Sequence, residues 1–518
     1  MKNWMRYCAL ALATLTLLAG LASCKGGKTN PADSTESDNG TESDRSEVTT
    51  DNRDENGYLL DDLGERDYND KKIRILTWIN KSYNQFSFDS ENGDHGNKFE
   101  EAVYSRNLRV EQRMKVQLKW TSIEGNNSAM DTYITKARGL SKSGDVDIFA
   151  AYSMVPATLA QEGLLSDMNA LPSVNLGNPW WNRSMLEKCS IYDKNYFGAG
   201  DLSPDMLAAT YVVYANKKMV ADNRIEETIA SEYGENTLYD LVYNGKWTLD
   251  KMIRLSRDVA VESGDGSAAG ATYGFSTYLI NVDPFLQGAG ILTVENGADG
   301  SLIPSDSFGS VDTQNLLTTL VDFFKSSAAF LGRYDEGWDN ATWINAWYEN
   351  RAMFLMEDFT RAKLNYEKKV YTYLLPVPKA DEEQDGYRCT PGFYSTVWSV
   401  ANGSAKDEAV GAALECLASE SYRSVMPAFY EQLLRRRYAD DPGEYKMIDY
   451  IKNTISFDSG RLFTSVFGGK TWSAFRDCVN ANSTDWTSYY NKNVANLMTN
   501  GCDTINKIID IYQNRYRT

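Results

Sequence analysis

The sequence predicts an α/β protein built around mainly parallel sheets. Short runs of branched and aromatic residues alternate with amphipathic helical segments, and this alternation is typical of parallel strands joined by helices. The chain of 518 residues is 42 % apolar and 24 % charged, which is the ordinary balance of a soluble globular protein with a substantial core. Its length allows two to four domains.

The first elements follow one another as strand, helix, strand, helix, strand, helix. Branched and aromatic residues predict strands at 72–78, 116–120 and 146–149. Apolar residues three and four positions apart predict helices at 98–114 and 130–140, and a further short helix ends at 161. Each strand is therefore followed by a helix that can carry the chain back to the next parallel strand.

The second half of the chain continues this pattern. Strands are predicted at 206–214 and 353–356. Thr248 is a suitable N-cap residue for a helix over 248–260, and two more helices are predicted at 407–419 and 503–512. No internal repeat occurs at the periods of solenoid proteins.

Charge and histidine content exclude several classes of site. The chain has 53 Lys and Arg against 71 Asp and Glu, a formal net charge of −18, which argues against nucleic-acid binding because phosphate recognition needs a basic surface. His95 is the single histidine of the chain. A metal site built from several histidines is therefore excluded, and a Ser-His-Asp triad would have to use His95 as its base. We expect no metal site and no cofactor.

Cysteine spacing points to no specific chemistry. No Cys-x-x-Cys pair occurs, which argues against a zinc ribbon or a thioredoxin-type redox site. Spacing leaves open whether any of the last five form a disulfide. The seven cysteines are Cys8, Cys24, Cys189, Cys389, Cys416, Cys478 and Cys502.

Residues 1–23 have the pattern of a lipoprotein signal peptide. Lys2 and Arg6 form a basic start, and the apolar run over 7–21 is too short for a membrane span. The run ends in Leu-Ala-Ser-Cys, the lipobox pattern, in which the thiol of Cys24 becomes diacylated with chains such as palmitate. Two acyl chains give stable attachment, so we expect a protein anchored by lipid to the extracytoplasmic face of the cell membrane. An ordinary signal peptide with a chance cysteine is the alternative.

The segment 24–70 is predicted to be the lipidated cysteine followed by a disordered acidic tether. Residues 25–70 include 14 acidic and five basic residues and few large apolar ones. Such a composition buries too little apolar surface to offset the entropy of folding. The folded part is therefore expected to begin at residue 71.

Six segments, in this order and spacing, resemble the extracellular sugar-type solute-binding proteins of ABC importers, the broad family that includes maltose-binding protein. They are Asp-Val-Asp-Ile-Phe at 145–149, Ala-Gln-Glu-Gly-Leu-Leu-Ser-Asp-Met at 160–168, Tyr-Val-Val-Tyr-Ala-Asn-Lys-Lys-Met at 211–219, Gly-Lys-Trp-Thr-Leu-Asp at 245–250, Arg-Ala-Met-Phe-Leu-Met at 351–356 and Leu-Leu-Pro-Val-Pro-Lys at 374–379. Arg351 replaces the first glycine of the family's Gly-x-Ala-Ala-Met strand. The resemblance extends over almost all of 71–518.

This resemblance implies a two-lobed, periplasmic-binding-protein-like fold of type II, with a ligand cleft at the hinge. Lobe one would comprise 71–204 and 393–435, and lobe two 205–392 and 436–518. It also implies a monomeric protein that is not an enzyme. Such a protein captures a carbohydrate, here expected to be an oligosaccharide, by hinge closure and delivers it to the membrane permease of the importer.

Aromatic residues independently favour a sugar ligand. The chain has 12 Trp and 32 Tyr, and several follow predicted strands, where α/β folds bind ligands. Their apolar faces and polar tips suit sugar rings. The resemblance places the ligand against Trp78, Asn80, Tyr152, Ser153, Asp201, Tyr278, Glu357, Asp358, Phe359 and Tyr394.

Three other functions remain open from the sequence. A binding protein for a peptide or another polar solute would share the fold. A secreted glycoside hydrolase would need two carboxylates about 5–10 Å apart, and Glu357 with Asp358 make a poor pair because neighbours on a strand point to opposite faces. A surface adhesin or structural lipoprotein would have no cleft.

Overall fold

The computed structural model describes residues 52–80, 84–87, 97–335, 341–434 and 442–515. The strands are β1 (Lys71–Trp78), β2 (Val116–Ile123), β3 (Ile148–Tyr152), β4 (Tyr211–Asn216), β5 (Tyr273–Tyr278), β6 (Val294–Asn296), β7 (Leu302–Pro304), β8 (Ala329–Gly332), β9 (Ala352–Asp358), β10 (Thr372–Leu375) and β11 (Thr396–Val400). The helices are α1 (Lys98–Met114), α2 (Met130–Ser143), α3 (Val155–Gln161), α4 (Arg183–Lys188), α5 (Pro204–Ala208), α6 (Lys217–Asp222), α7 (Ile225–Tyr233), α8 (Leu238–Tyr243), α9 (Leu249–Val259), α10 (Pro284–Gly288), α11 (Val311–Lys325), α12 (Thr342–Tyr348), α13 (Arg361–Glu367), α14 (Glu408–Glu420), α15 (Met426–Leu434), α16 (Pro442–Asn453), α17 (Ser459–Leu462), α18 (Lys470–Asn480), α19 (Trp486–Asn493) and α20 (Ala495–Arg515). The predicted signal peptide, Cys24 and the first part of the predicted tether lie outside these residues.

Two sheets carry the fold, and each has one reversed strand. The first sheet has the order β11-β3-β1-β2, in which β11 runs antiparallel to β3 and the other pairs are parallel. The second has the order β10-β4-β9-β5-β8, in which β4 runs antiparallel to both neighbours. β3, β5, β9 and β11 are buried along their whole length, as expected for strands with both faces covered. The prediction of mainly parallel sheets flanked by helices is confirmed.

The reversed strands mark where the chain passes from one sheet to the other. β4 is the first strand of the second sheet after the chain leaves β3, and we call the chain over 153–210 the first crossing. β11 enters the first sheet after β10, and we call the chain over 376–395 the second crossing. The connecting segments run side by side, because Thr210 pairs with Pro391 and Cys389 pairs with Ile455. Three segments therefore lie together between the sheets. The exact bounds of the two lobes remain a prediction.

One predicted strand divides into a helix and a strand. The segment 206–214 was expected to be extended throughout, but α5 takes up its start and β4 begins at Tyr211. Pro204 fits the first turn of a helix, where its missing N–H would be unpaired in any case. The Thr210 hydroxyl donates to the Met206 carbonyl at 2.8 Å and closes the turn.

Residues 52–70 pack onto the folded part, so the predicted tether is wrong for this stretch. Asp61 is buried, with its carboxylate 2.6 Å from Arg113 and 3.4 Å from Arg423, and the Ser419 hydroxyl donates to it. Leu63 is also buried in the core. The amino-acid composition of the segment predicted disorder, but composition does not report specific contacts. A few contacts to charged side chains of other helices are enough to order the segment.

The described cysteines form no disulfide in the structure. All five are buried free thiols: Cys189, Cys389, Cys416, Cys478 and Cys502. Burial raises the pKa of the Cys189 thiol to about 12. A buried thiol of raised pKa is a poor nucleophile, so these residues serve as small core side chains.

Candidate functional site

Two predicted aromatic residues meet at the ends of neighbouring strands. Trp78 ends β1 and Tyr152 ends β3, and their rings meet edge to face with centroids 5.5 Å apart. The Trp78 indole donates to the Thr396 hydroxyl at 2.9 Å. Both rings are buried, and this burial raises the pKa of the Tyr152 phenol. In this state they pack as a pair.

Asn80 extends this polar contact toward the first crossing. Its amide donates to the Asp205 carboxylate at 3.0 Å, and the Thr396 backbone N–H donates to the same carboxylate at 3.1 Å. All three residues are buried. Asn80 therefore links the end of β1 to α5 and to β11.

Predicted residues of both sheets converge on one segment of the second crossing. Ser153, directly after β3, donates to the Phe393 carbonyl at 2.7 Å. The Tyr394 hydroxyl donates to Asp358 at the end of β9, and the Thr360 N–H donates to the same carboxylate at 2.9 Å. Burial raises the pKa of Asp358. Phe393 and Tyr394 thus join the strand ends of the two sheets.

Glu357 lies apart from Asp358 although the two are adjacent in sequence. Its carboxylate accepts hydrogen bonds from Arg361 at 2.5 and 3.1 Å and from Asn281 at 3.2 Å. Burial raises its pKa to about 7, and the Arg361 charge limits the shift. Phe359 is buried in the core. As expected for neighbouring residues of a strand, the two side chains point to opposite faces and have different hydrogen-bond partners.

Tyr278 belongs to an aromatic cluster at the end of β5. Its ring centroid lies 5.6 Å from that of Trp343 and 6.2 Å from that of Tyr334. Arg476 donates to the Tyr334 hydroxyl at 3.0 Å. The cluster therefore connects the end of β5 to α18.

Asp201 lies in a different cavity from the other predicted residues. Its carboxylate is fully buried and pairs with Lys452 at 2.5 Å. Burial raises the pKa of Asp201, and the Lys452 charge opposes the shift. The cavity has a volume of about 620 Å³ and is also lined by Trp180 and Trp181. The structure thus separates Asp201 from the contacts around Tyr394.

Sequence reasoning missed the side chains that the C-terminal segment places beside the second crossing. Arg461 of α17 lies with its guanidinium carbon 4.3 Å from the centre of the Phe393 ring. A cavity of about 20 Å³ is lined by Ser153, Phe393, Asp458 and Arg461 among others. A second, of about 10 Å³, is lined by Asp283, Gln287, Trp472 and again Arg461 and Asp458. We call the surroundings of these two cavities, defined by Ser153, Phe393, Asp283, Asp458 and Arg461, the hinge cleft.

Little in the sequence could have revealed these residues. Asp283 follows β5 by five positions, so its place beyond a strand end was a usable signal. Arg461 belongs to a helix of four residues and lies about 300 positions from Ser153. No periodic pattern relates two residues at such a distance.

The hinge cleft can donate and accept hydrogen bonds but has little free volume in this state. A cavity needs about 10–15 Å³ to hold one water molecule, so the two cavities of about 20 and about 10 Å³ would each hold about one water. A sugar ring would enter only if the strand ends moved apart. Within the described ranges, no group of three or more His, Cys, Asp or Glu side chains is placed to hold a metal ion.

Comparison with known proteins identifies the fold. No family model matches the sequence, and no curated protein matches it. The cyclic alpha-maltosyl-1,6-maltose binding protein from Arthrobacter globiformis is similar in structure, with a TM-score of 0.53 at 13 % identity, over 85 % of this chain and 98 % of that one. A cyclo/maltodextrin-binding protein complexed with maltotetraose matches with a TM-score of 0.50 at 10 % identity, over 86 % and 97 %.

These matches agree with the topology described above. Both cover almost the whole of the solved chains, so they extend across the two sheets and the crossings between them. Among the described helices, none combines the length and hydropathy that a membrane span requires. The structural matches and the topology together give this chain the two-lobed fold of the sugar-type extracellular solute-binding proteins.

Proposed function

We propose that this protein is the solute-binding lipoprotein of an ABC importer and captures a carbohydrate in the hinge cleft. The observation that carries the proposal is the convergence of Ser153, Asp358 and Tyr394 on the second crossing. In a two-lobed fold, a ligand held from both strand ends stabilises the closed form, because only that form makes both sets of contacts.

The chemistry of the cleft suits a polar ligand. Asp283 lines the cleft, and Asp358 lies beside it through its contact with Tyr394. Both carboxylates can accept hydrogen bonds from sugar hydroxyls, and hydrogen bonds to charged groups contribute about 1.5–3 kcal/mol each. Arg461 covers one face of the Phe393 ring and Arg476 one face of the Trp472 ring, so only the opposite faces could lie against the C–H face of a sugar. The closed protein would then dock on the permease and release the sugar.

A panel of mono- and oligosaccharides tests this proposal through thermal unfolding. A ligand present at about 100 times its dissociation constant should stabilise the protein by about 2.7 kcal/mol. Amino acids and peptides in the same panel test the rival ligand class. Stabilisation by peptides and by no saccharide would refute the proposed function.

Asp358→Asn is expected to weaken saccharide binding at least tenfold. The amide keeps the size of the side chain but removes the charge that Tyr394 and a ligand hydroxyl can share, and a tenfold loss corresponds to about 1.4 kcal/mol. Calorimetric titration measures the effect. Asp322→Asn is the matched control, because Asp322 lies on the exposed face of α11 and should bind like wild type. Equal affinities in the two variants would remove Asp358 from the site.

The membrane anchor is part of the same proposal. Diacylation of Cys24 would hold the protein near its permease and raise the effective concentration of the encounter. Cys24→Ala is therefore expected to move the protein from the membrane fraction to the medium without lowering its melting temperature. Undiminished membrane retention of the variant would refute the lipobox interpretation.

A further inference from the structure

Arg461, which is partly buried, differs from the buried Arg361 and Arg476. Arg476 donates to Asp283 at 2.9 Å, and Arg361 donates to Glu357 at 2.5 Å. The Arg461 guanidinium, in contrast, makes no hydrogen bond or ion pair with any described residue and only lies over the Phe393 ring. A guanidinium has five N–H donors, so this side chain retains a large unused hydrogen-bonding capacity inside the hinge cleft.

The carboxylates nearest to Arg461 are already engaged by other groups. Asp283 accepts from Arg476. Asp458 accepts from the N–H and the hydroxyl of Thr293, both at 2.8 Å, and from the N–H of Gly460 at 2.8 Å. Neither carboxylate forms an ion pair with Arg461, so no carboxylate of the described residues lies within bonding distance of this cation.

The electrostatics agree with this geometry. Burial lowers the pKa of Arg461, and the more distant charges of Asp283 and Asp458 only partly offset it. Burial acts in the same direction on Arg476, but its contact with Asp283 raises the pKa above the ordinary value. The charged form of Arg461 is therefore the less stabilised of the two, and an added anion would stabilise it.

Uncharged polar groups around Arg461 also have no hydrogen-bond partner among the residues that the structure describes. The Gln287 side chain is 3 % exposed, and neither its amide nitrogen nor its amide oxygen is hydrogen-bonded. The hydroxyls of Thr390 and Ser395 are buried and unbonded as well. Gln287 lines one of the two cavities, and Thr390 and Ser395 line the other. Unmade hydrogen bonds of buried groups are costly and usually have an explanation in a ligand or a role in function.

We infer that the saccharide bound in the hinge cleft carries a carboxylate, as in a uronic-acid oligosaccharide, and that Arg461 binds this carboxylate. The planar guanidinium fork matches a carboxylate in a bidentate arrangement, while Phe393 supports it from one face. Gln287, Thr390 and Ser395 would pair with the ring hydroxyls next to the carboxylate. This inference rests on the proposed function and specifies its ligand class.

The net charge of −18 does not oppose this assignment at contact distance. Charges beyond about 8 Å are largely screened at physiological ionic strength. At the site itself, Asp283 is balanced by Arg476, whereas Asp458 accepts hydrogen bonds from neutral donors and its charge acts on Arg461 from beyond bonding distance. The local partner of an incoming carboxylate is therefore Arg461.

The test compares the affinities of acidic and neutral disaccharides for the protein over residues 24–518. Calorimetric titration uses uronate disaccharides of the gluco, galacto and manno series, each beside its neutral counterpart. We expect one uronate to bind the wild type at least tenfold more tightly than its neutral counterpart. A neutral disaccharide that binds as tightly as its acid would overturn the inference and leave the proposed function standing, whereas failure of every saccharide would reject both.

Variants of Arg461 locate the effect. Arg461→Gln is expected to lower the affinity for the uronate to that for the neutral sugar. Arg461→Lys is expected to give an intermediate loss, because the lysine ammonium keeps the charge but cannot make the bidentate contact of a guanidinium. Arg257→Gln, on the exposed face of α9, is the matched control and should bind like wild type. Unchanged uronate affinity in Arg461→Gln would overturn the assignment. The comparison on the wild type decides the ligand class even if a variant fails to fold.

Discussion

Asp61→Ala is expected to destabilise the folded protein by about 3–5 kcal/mol, the usual cost of removing one partner from a buried charge cluster. The Asp61 side chain is 1 % exposed and pairs with Arg113 and Arg423. Without it, the two guanidinium groups share only Glu420, at 2.9 and 2.7 Å. Chemical denaturation measures the loss.

The pH dependence of this variant provides a second check. Burial alone would raise the pKa of Asp61, but hydrogen bonds from Arg113 and Ser419 hold it below the ordinary value. A carboxylate of lowered pKa stabilises the fold above its unfolded pKa and loses that contribution as the pH falls. The difference between wild type and Asp61→Ala should therefore be full at neutral pH and shrink in acid.

Asp62→Ala is the control for the same segment. Asp62 is exposed and its contact is a hydrogen bond from Asn52 at 3.2 Å, so the substitution should change stability by less than about 0.5 kcal/mol. Equal, small effects of the two variants would mean that residues 52–70 contribute little to the fold, as the composition of the segment suggests.

Tyr152→Ala is expected to cost about 3–5 kcal/mol of folding stability, as other truncations of buried aromatic residues do. The ring is 6 % exposed and meets Trp78 edge to face. Its removal leaves a cavity at the end of β3, directly before Ser153. Because Ser153 holds the second crossing, we expect ligand binding to weaken as well.

Tyr152→Phe separates packing from hydrogen bonding. It keeps the ring against Trp78 and should remain within about 1 kcal/mol of wild type. Melting and calorimetric titration of both variants distinguish two roles for the ring. A Tyr152→Ala variant that melts like wild type but loses binding would show that the ring contacts the ligand and carries little of the core.

Local patterns in the sequence predicted part of the elements, in their correct order along the chain. The helix at 98–114 and the strands near 72–78 and 353–356 lie where their periodicity places them. Periodicity succeeds because burial of one face repeats every two or about 3.6 residues. The strand ends follow from the same patterns: Ser153 directly follows β3, and Asp358 is the last residue of β9.

The partner of each polar side chain could not be predicted in this way. Asp201 was expected beside the other site residues, and instead it pairs with Lys452 in a separate cavity. Glu357 was expected to contact the ligand, and in the structure it pairs with Arg361. Such contacts depend on distances between elements that are far apart along the chain, which no local pattern encodes.

By itself the sequence determined the fold class and several of the strand ends, and it predicted a polar, aromatic site at those ends. Only the tertiary structure decided that residues 52–70 join the fold and that Arg461 enters the hinge cleft. Both depend on charged side chains of segments that are distant in the sequence. Asp61 pairs with Arg113 of α1 and with Arg423, which follows α14. Arg461 of α17 lies over the Phe393 ring. Local periodicity reports which face of an element is buried, whereas the identity of the group it meets is set by how the elements pack.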